Sequence, residues 1–460
     1  MTPEEERQLE NNQEEEEEDV VLAAEDVAEV LEDDGLKPDE DMEEDLPADH
    51  EPMIKDEEEK GKPSNAWGGT FLHKPGSSIF ALALHPMFPN PPLAVTGGQD
   101  DVAYVFCPLP PSQGGAWNRD TYQPVRLTGH TDSIACASFS NDGEYVATGG
   151  LDGRVRVWRR VKTRRGVTYD DADPEAWRFW EFITSLEAGG DVHWLQWHPK
   201  GPVLAAGCED ASVWLWNLPS GRTMTVLSSH TMACTAGIFP PPGKQLLTAS
   251  LDSSLVLWNP AAGSHEFKSS IFYPPHAPEL DPSVHGITSL AIAPSGLVAC
   301  GSANGRIRLI AMPRGECVQT LDAHDKNESV EGLVFMDLLG GRDGGKGVVL
   351  VSASTDGQCF VFDATTGRGR AMMKHPAAVT AMTPHPAPSQ HLITTACTDG
   401  SLRTWDVRNG ILLAEHTGHP GAVLGVAVGK APDGESPLGL PEAQLVISAG
   451  EEGASLIWRV

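Results

Sequence analysis

From Trp67 onward the chain alternates apolar and polar residues in short runs rich in Val, Ile, Thr and Trp, broken by Gly, Asp, Asn and Ser. That pattern predicts β-strands joined by tight turns. Eight ten-residue segments align on one another: GGQDDVAYVF (97–106), GGLDGRVRVW (149–158), GCEDASVWLW (207–216), ASLDSSLVLW (249–258), GSANGRIRLI (301–310), ASTDGQCFVF (353–362), ACTDGSLRTW (396–405) and AGEEGASLIW (449–458). In each, one strand ends, the chain turns at an acidic residue and Gly, and an alternating strand finishes on Trp or another large apolar residue. Upstream of most stands a His ahead of an apolar alternation, at positions 73, 130, 230, 324, 375 and 419.

Self-similarity at this period signals a repeat architecture. The segments resemble the WD-repeat family, whose unit is a four-stranded propeller blade. The resemblance implies an all-β fold, an eight-bladed WD-repeat β-propeller over residues 66–460. It also implies a buried hydrogen-bonded group in each blade, built from a His, an Asp, a Ser or Thr and the strand-end Trp. Repeat two carries the set as His130, Thr148, Asp152 and Trp158, and repeat seven as His375, Thr395, Asp399 and Trp405. Repeat five has Asn304 and Ile310 instead, and repeat eight has Glu452, so those blades are expected to rely more on packing. Val460 lies two residues beyond Trp458, too few for a last strand. Trp67 to His73 is expected to supply that strand and close the ring, removing open sheet edges.

Charge changes the picture at the N-terminus. Of a formal net charge of −32, residues 1–65 hold 28 acidic and 5 basic side chains. So acidic a segment, poor in aromatics, cannot bury enough apolar surface to offset the entropy of ordering, and it is expected to be a disordered acidic tail. Within it Val20, Val21, Leu22, Val27, Val30 and Leu31 fall at roughly helical spacing, either stray apolar residues or a segment that folds on a partner. The balance argues against direct nucleic-acid binding and for a basic partner or plain solubility. No apolar run spans a membrane and no targeting leader is evident, so no membrane role is expected and a cytoplasmic, or also nuclear, location is. The eight scattered cysteines read as reduced core residues.

Most candidate chemistry reads as structural. Gly340 to Gly347 begins like a phosphate-binding loop but has Gly347 where a Ser or Thr is needed, and it joins two strands of one blade. The His-Pro pairs at His85, His198 and His385 read as turns in different blades rather than metal ligands. The insertion with Arg159, Arg160, Lys162, Arg164 and Arg165 beside Asp170, Asp171 and Asp173 reads as a self-pairing loop, with RNA contact the other possibility. No catalytic spacing is present, so no enzyme, cofactor or metal is expected.

Binding is expected on the face where the His-containing loops and the Asp turns emerge. The candidates are Asp101, Asp132, Asp191, His193, Trp194, Glu209, Asp325, Glu328, Glu331 and Glu451, an acidic rim with His193 and Trp194 as an anchor. Segments 77–86, 93–101, 127–150 and 186–207 are further similar to the group of the angio-associated migratory cell protein and its fungal relatives. The fungal members are dedicated chaperones of a large-subunit ribosomal protein, L-ten. That likeness implies a monomeric, non-catalytic chaperone that takes the basic N-terminal segment of newly made L-ten on its acidic face and delivers it to the large ribosomal subunit, with the tail as an electrostatic shield. The alternative is a scaffold or adaptor in signalling or ubiquitin-ligase substrate recognition, which the same fold serves equally.

Overall fold

A computed structural model describes residues 67–109, 123–164, 166–170, 173–272, 285–339 and 347–460. The chain divides into two units, Met1–Glu59 and Lys60–Val460, and the described residues fall in the second. The acidic tail with its apolar stripe, Gly340 to Lys346, Arg165 and Asp171 lie outside the described residues.

Eight four-stranded antiparallel sheets form the blades of a β-propeller. The inner strands are Ile79–Leu84, Ile134–Phe139, Val192–Trp197, Cys234–Ile238, Ile287–Ile292, Val330–Asp337, Val379–Pro384 and Val423–Lys430. Each lies against the inner strand of the next blade, and the eighth against the first. The closing strand is Trp67–Phe71, which pairs antiparallel with Ala454–Arg459 in the register Trp67 to Trp458 and Phe71 to Ala454. The outermost strand of blade eight thus comes from the start of the propeller, and the ring has no gap.

The core lies between blades as well as within them. Val155 and Val157 of blade two pack with Trp197, Leu204 and Trp216 of blade three. Leu445, Ile447 and Ile457 of blade eight join Val95, Val105 and Phe106 of blade one. Each fully buried side chain of this size contributes roughly 1.5–3 kcal/mol, so every blade is stabilised largely by its neighbours.

The turn ahead of the third strand of each blade places one residue at positive φ: Asp101, Gly153, Ala211, Ser253, Gly305, Gly357, Gly400 and Gly453, between 63° and 89°. Glycine takes that conformation freely, whereas the other three residues are held there at about 1 kcal/mol each.

The His-Pro pairs act between blades on the opposite face. His198 donates from Nε2 to the Gly243 carbonyl (2.8 Å) and its ring meets Phe239 edge-on. His85 meets Phe139 of blade two in the same way. His385 bonds Gln444 of blade eight and, at 2.7 Å, Thr394. Among the described residues no cluster of three or more His, Cys, Asp or Glu is placed to hold a metal ion.

The basic insertion is tied down by its own surroundings. Its hairpin, Thr163–Arg164 with Val167–Thr168, precedes a short 3-10 turn, Pro174–Arg178, that buries Trp177 completely. Lys162 pairs with Glu144 at 2.6 Å, Arg159 with Glu181 at 3.4 Å, and Arg164 lies 4.4 Å over Phe179. These cations are committed to carboxylates and a ring.

Candidate functional site at the channel mouth

Every inner strand slips register at its second residue. The slips fall between Ile79 and Ala81, Ile134 and Cys136, Val192 and Trp194, Cys234 and Ala236, Ile287 and Ser289, Val330 and Gly332, Val379 and Ala381, and Val423 and Gly425. A bulge re-aims the residue it contains. The eight bulge residues, Phe80, Ala135, His193, Thr235, Thr288, Glu331, Thr380 and Leu424, therefore form a ring at the end of the channel where the His-containing loops emerge. Three of them are threonines whose hydroxyls donate to the first carbonyl of the next inner strand: Thr235 to Ile287 (2.6 Å), Thr288 to Val330 (2.7 Å) and Thr380 to Val423 (2.5 Å). Phe80, His193 and Glu331 are exposed.

Behind this ring sit the buried hydrogen-bonded groups. His73 joins Asp100 (2.7 Å) and Thr96 (3.1 Å); His130 joins Asp152 (3.0 Å) and Thr148 (2.8 Å); His324 joins Asp356 (2.9 Å) and Ser352 (2.8 Å). Burial lowers the pKa of His73, His130 and His324, outweighing the adjacent carboxylate. Burial works to raise Asp100 and Asp152, yet hydrogen bonds from their His and from backbone amides hold both below the usual carboxylate range. Each group is thus a neutral ring on a carboxylate, a rigid support for the loop carrying it.

Two expectations about these groups are corrected. Repeat eight keeps the His-centred part of the arrangement, because Glu452 reaches His419 Nδ1 at 2.5 Å while Ser448 takes Nε2 at 2.6 Å, one more methylene spanning the same gap, although the Trp458 indole N–H does not join it. Repeat five also builds a group, with His285 Nδ1 against Asn304 at 2.6 Å. Repeat seven departs instead. Asp399 turns to Arg403 (2.8 Å), which also holds Glu415 (2.6 Å), and His375 Nδ1 is left buried without a partner, although Thr395 joins His375 and Trp405. His375 is lowered to about 4, first by burial and next by the Arg403 charge. Replacing Arg403 with Leu should raise the His375 pKa, read by NMR titration of its ring proton; an unmoved value would mean that burial alone sets it.

The rim candidates sort by position. Asp132, Glu209, Asp325, Glu331 and Glu451 are exposed, and Asp191 and Glu328 are half-buried. Glu209 accepts from His193 Nε2 at 2.6 Å, and Glu328 accepts from the Thr355 hydroxyl at 2.5 Å. Glu209 and Glu451 hold the same turn position in blades three and eight. Asp101 does not: Asp100 takes the internal position, Asp101 stands at the left-handed site that Gly fills in five of the other blades, and Gln99 is the rim equivalent.

Trp194 is corrected from anchor to wall. Its side chain is buried, donates from Nε1 to the Cys234 carbonyl of blade four (3.1 Å), and fits between two glycines. A Cβ on Gly207 or Gly237 would stand 2.1 Å from the ring. The bulge at His193 puts Trp194 between the blades and His193 at the mouth.

Across the described loops and turns of this face stand fourteen carboxylates, against Lys74 and Lys326 as the cations. Five of the carboxylates, Asp100, Asp152, Asp252, Asp356 and Glu452, serve the internal groups, Asp399 is held by Arg403 and Asp210 by Ser212; the others are Asp191 and Glu209 in blade three, Asp325 and Glu328 in blade six, and Asp101, Asp132 and Glu451, with Glu331 adding to blade six from the ring.

Comparison with known proteins places the chain. The family model for the WD domain, G-beta repeat, matches residues 122–159, 180–217, 221–259 and 370–406. The chain is 32% identical over 371 residues to an uncharacterised WD repeat-containing protein of Schizosaccharomyces pombe, covering 80% of this chain and 82% of that one. It is 28% identical over 370 residues to the human angio-associated migratory cell protein, covering 77% and 74%. It is 25% identical over 422 residues to the ribosome assembly protein SQT1 of Saccharomyces cerevisiae, covering 85% and 86%. Among solved structures, Chaetomium thermophilum Sqt1 bound to the N-terminus of the ribosomal protein L10 superposes with a TM-score of 0.67 at 24% identity, over 87% of this chain and 100% of that one. This last likeness shows the fold.

Proposed function

The chain belongs to the WD-repeat family, and on that premise we propose that its acidic channel mouth is the client site of a ribosomal-protein chaperone. The client is the basic N-terminal segment of a newly made large-subunit ribosomal protein of the L10 kind, the L-ten of the sequence resemblance. Two relatives support the reading: SQT1 is a ribosome assembly protein, and a Sqt1 has been solved with the N-terminus of L10 bound. The observation on this chain that carries it is the separation of its carboxylates into inward ones that hold the loops and outward ones, in blades three and six and at Glu451, that have neutral hydrogen-bond donors or His193 beside them but no Lys or Arg among the described residues.

The physical logic is charge covering. A basic segment leaving the ribosome binds RNA indiscriminately, and a preformed negative rim competes for it and speeds its capture. Hand-over needs no bond to be made or broken, because rRNA is the denser polyanion. The encounter takes place where the client is made, in the cytoplasm, and no cofactor takes part.

Reversing Glu209 and Glu331 to Lys tests the face. Exposed ion pairs contribute up to about 1 kcal/mol each, and reversal turns attraction into repulsion, so affinity for the client segment should fall roughly thirtyfold at physiological salt. Unchanged affinity in a titration would overturn the assignment. Affinity purification separates the scaffold reading: L10 as the main stoichiometric partner supports the chaperone, signalling or ubiquitin-ligase components the adaptor.

A further inference from the structure

The ring at the mouth is not uniformly polar. Its residues on blades eight, one and two are Leu424, Phe80 and Ala135, three apolar side chains in consecutive positions, and the neighbouring rim position of blade two is Leu151. Phe80 is 43% exposed, the others half-buried. The threonines on blades four, five and seven spend their hydroxyls on the wall, so this arc is not part of that bonding. Carboxylates bracket it, Glu451 on the blade-eight side and Asp132 on the blade-two side, both exposed. A cation can stack on an exposed Phe, but Leu424 and Ala135 beside it offer a charge nothing, whereas a ligand with an apolar side chain between two cations fits the whole arc and its flanking carboxylates at once.

We propose that the arc Leu424, Phe80 and Ala135 is a side-chain subsite for an aromatic or branched apolar residue lying inside the cationic segment of the client. The carboxylates capture the segment and the arc sets its register, so that the site distinguishes a basic segment with an apolar residue at the right place from a basic segment in general. Charge attraction alone is long-ranged and tolerant of sliding; contact with a ring is short-ranged and is not. This inference rests on the client-site reading above.

The test uses two synthetic peptides of equal charge, hexa-arginine and the same peptide with a tyrosine inserted at its centre, titrated calorimetrically into the full-length protein and into Phe80→Ala. The full-length protein should bind the tyrosine peptide roughly fivefold to tenfold more tightly than hexa-arginine, the scale of one aromatic contact. Phe80→Ala should erase the difference between the two peptides, a ratio that any weakening shared by both leaves untouched; the exposed position makes the substitution tolerable to the fold. Equal affinity of the two peptides for the unaltered protein, or a preference that survives Phe80→Ala, overturns the subsite while leaving the acidic face standing. Failure of both peptides to bind, or binding indifferent to Glu209→Lys with Glu331→Lys, overturns the acidic face itself.

Discussion

Proline at both Gly68 and Gly69 should destabilise the propeller by about 1–3 kcal/mol and make it prone to aggregate. The two residues pair with Ile457 and Leu456 in blade eight. Successive backbone amides of a strand point to opposite sides, so one of the two faces Ala454–Arg459 whichever way the ladder runs. Losing that bond loosens the strand that joins the two ends of the ring and bares the edge of a strand carrying Ile457 and Trp458. Chemical denaturation followed by tryptophan fluorescence checks the first part and light scattering the second. A midpoint within experimental error of the unaltered protein would show that the ring is held by the seam between blades eight and one alone.

Acidification from pH 7 to pH 5 should cost much of the remaining stability. Burial lowers His385 and His416 to about 4, and burial with the Arg403 charge does the same for His375. In the folded chain these rings stay neutral down to that range, while in the unfolded chain they take up protons from about pH 6.5 downward. Between the two values the unfolded state binds more protons, so stability is full above pH 6.5 and falls as pH falls. Each ring forfeits roughly 2 kcal/mol by pH 5, and three of them approach the whole stability of an ordinary domain. His73, His130, His324 and His419 are shifted in the same direction and add to the slope, while the carboxylates Asp100 and Asp152, held low in the folded chain, add theirs only below about pH 5. Denaturation midpoints at pH 7, 6 and 5 measure it, and a flat series would contradict it.

What could be read in the sequence was what repeats. A turn signal followed by an alternating strand recurs eight times, and that recurrence carries the blade number and the position of the closing strand, because a blade cannot bury its faces alone. Conformation that depends on one residue was hidden. The pair Asp100-Asp101 offers two registers to the turn, and only the positive φ at 101 shows which carboxylate turns inward. The alternation VHWLQW suggested His193 and Trp194 as joint rim residues, but a bulge inserts a residue without leaving any mark on composition, and it sends the two side chains to different places. Phe80 and Leu424 were missed for the same reason, although each follows the first apolar residue of its inner strand and the eightfold comparison could have found them. Repeat seven matched the family's group letter for letter, yet Arg403, four residues beyond Asp399, outbids the histidine. Repeat eight mismatched it and still formed, since a carboxylate on a longer stem serves as well.

The closing strand also sets a schedule. Strand Trp67–Phe71 leaves the ribosome first among the propeller's strands, and its partner Ala454–Arg459 follows about 380 residues later. At about 5–20 residues per second the first strand waits roughly 20–80 seconds for something to pair with, while blades one to seven assemble in order. The mouth is therefore finished in one late event, when blade eight brings Glu451 and Leu424 beside Phe80. Until then the half-made propeller has an open seam at blade one and no closed mouth, so a chain cut short before blade eight lacks the whole ring rather than one eighth of it.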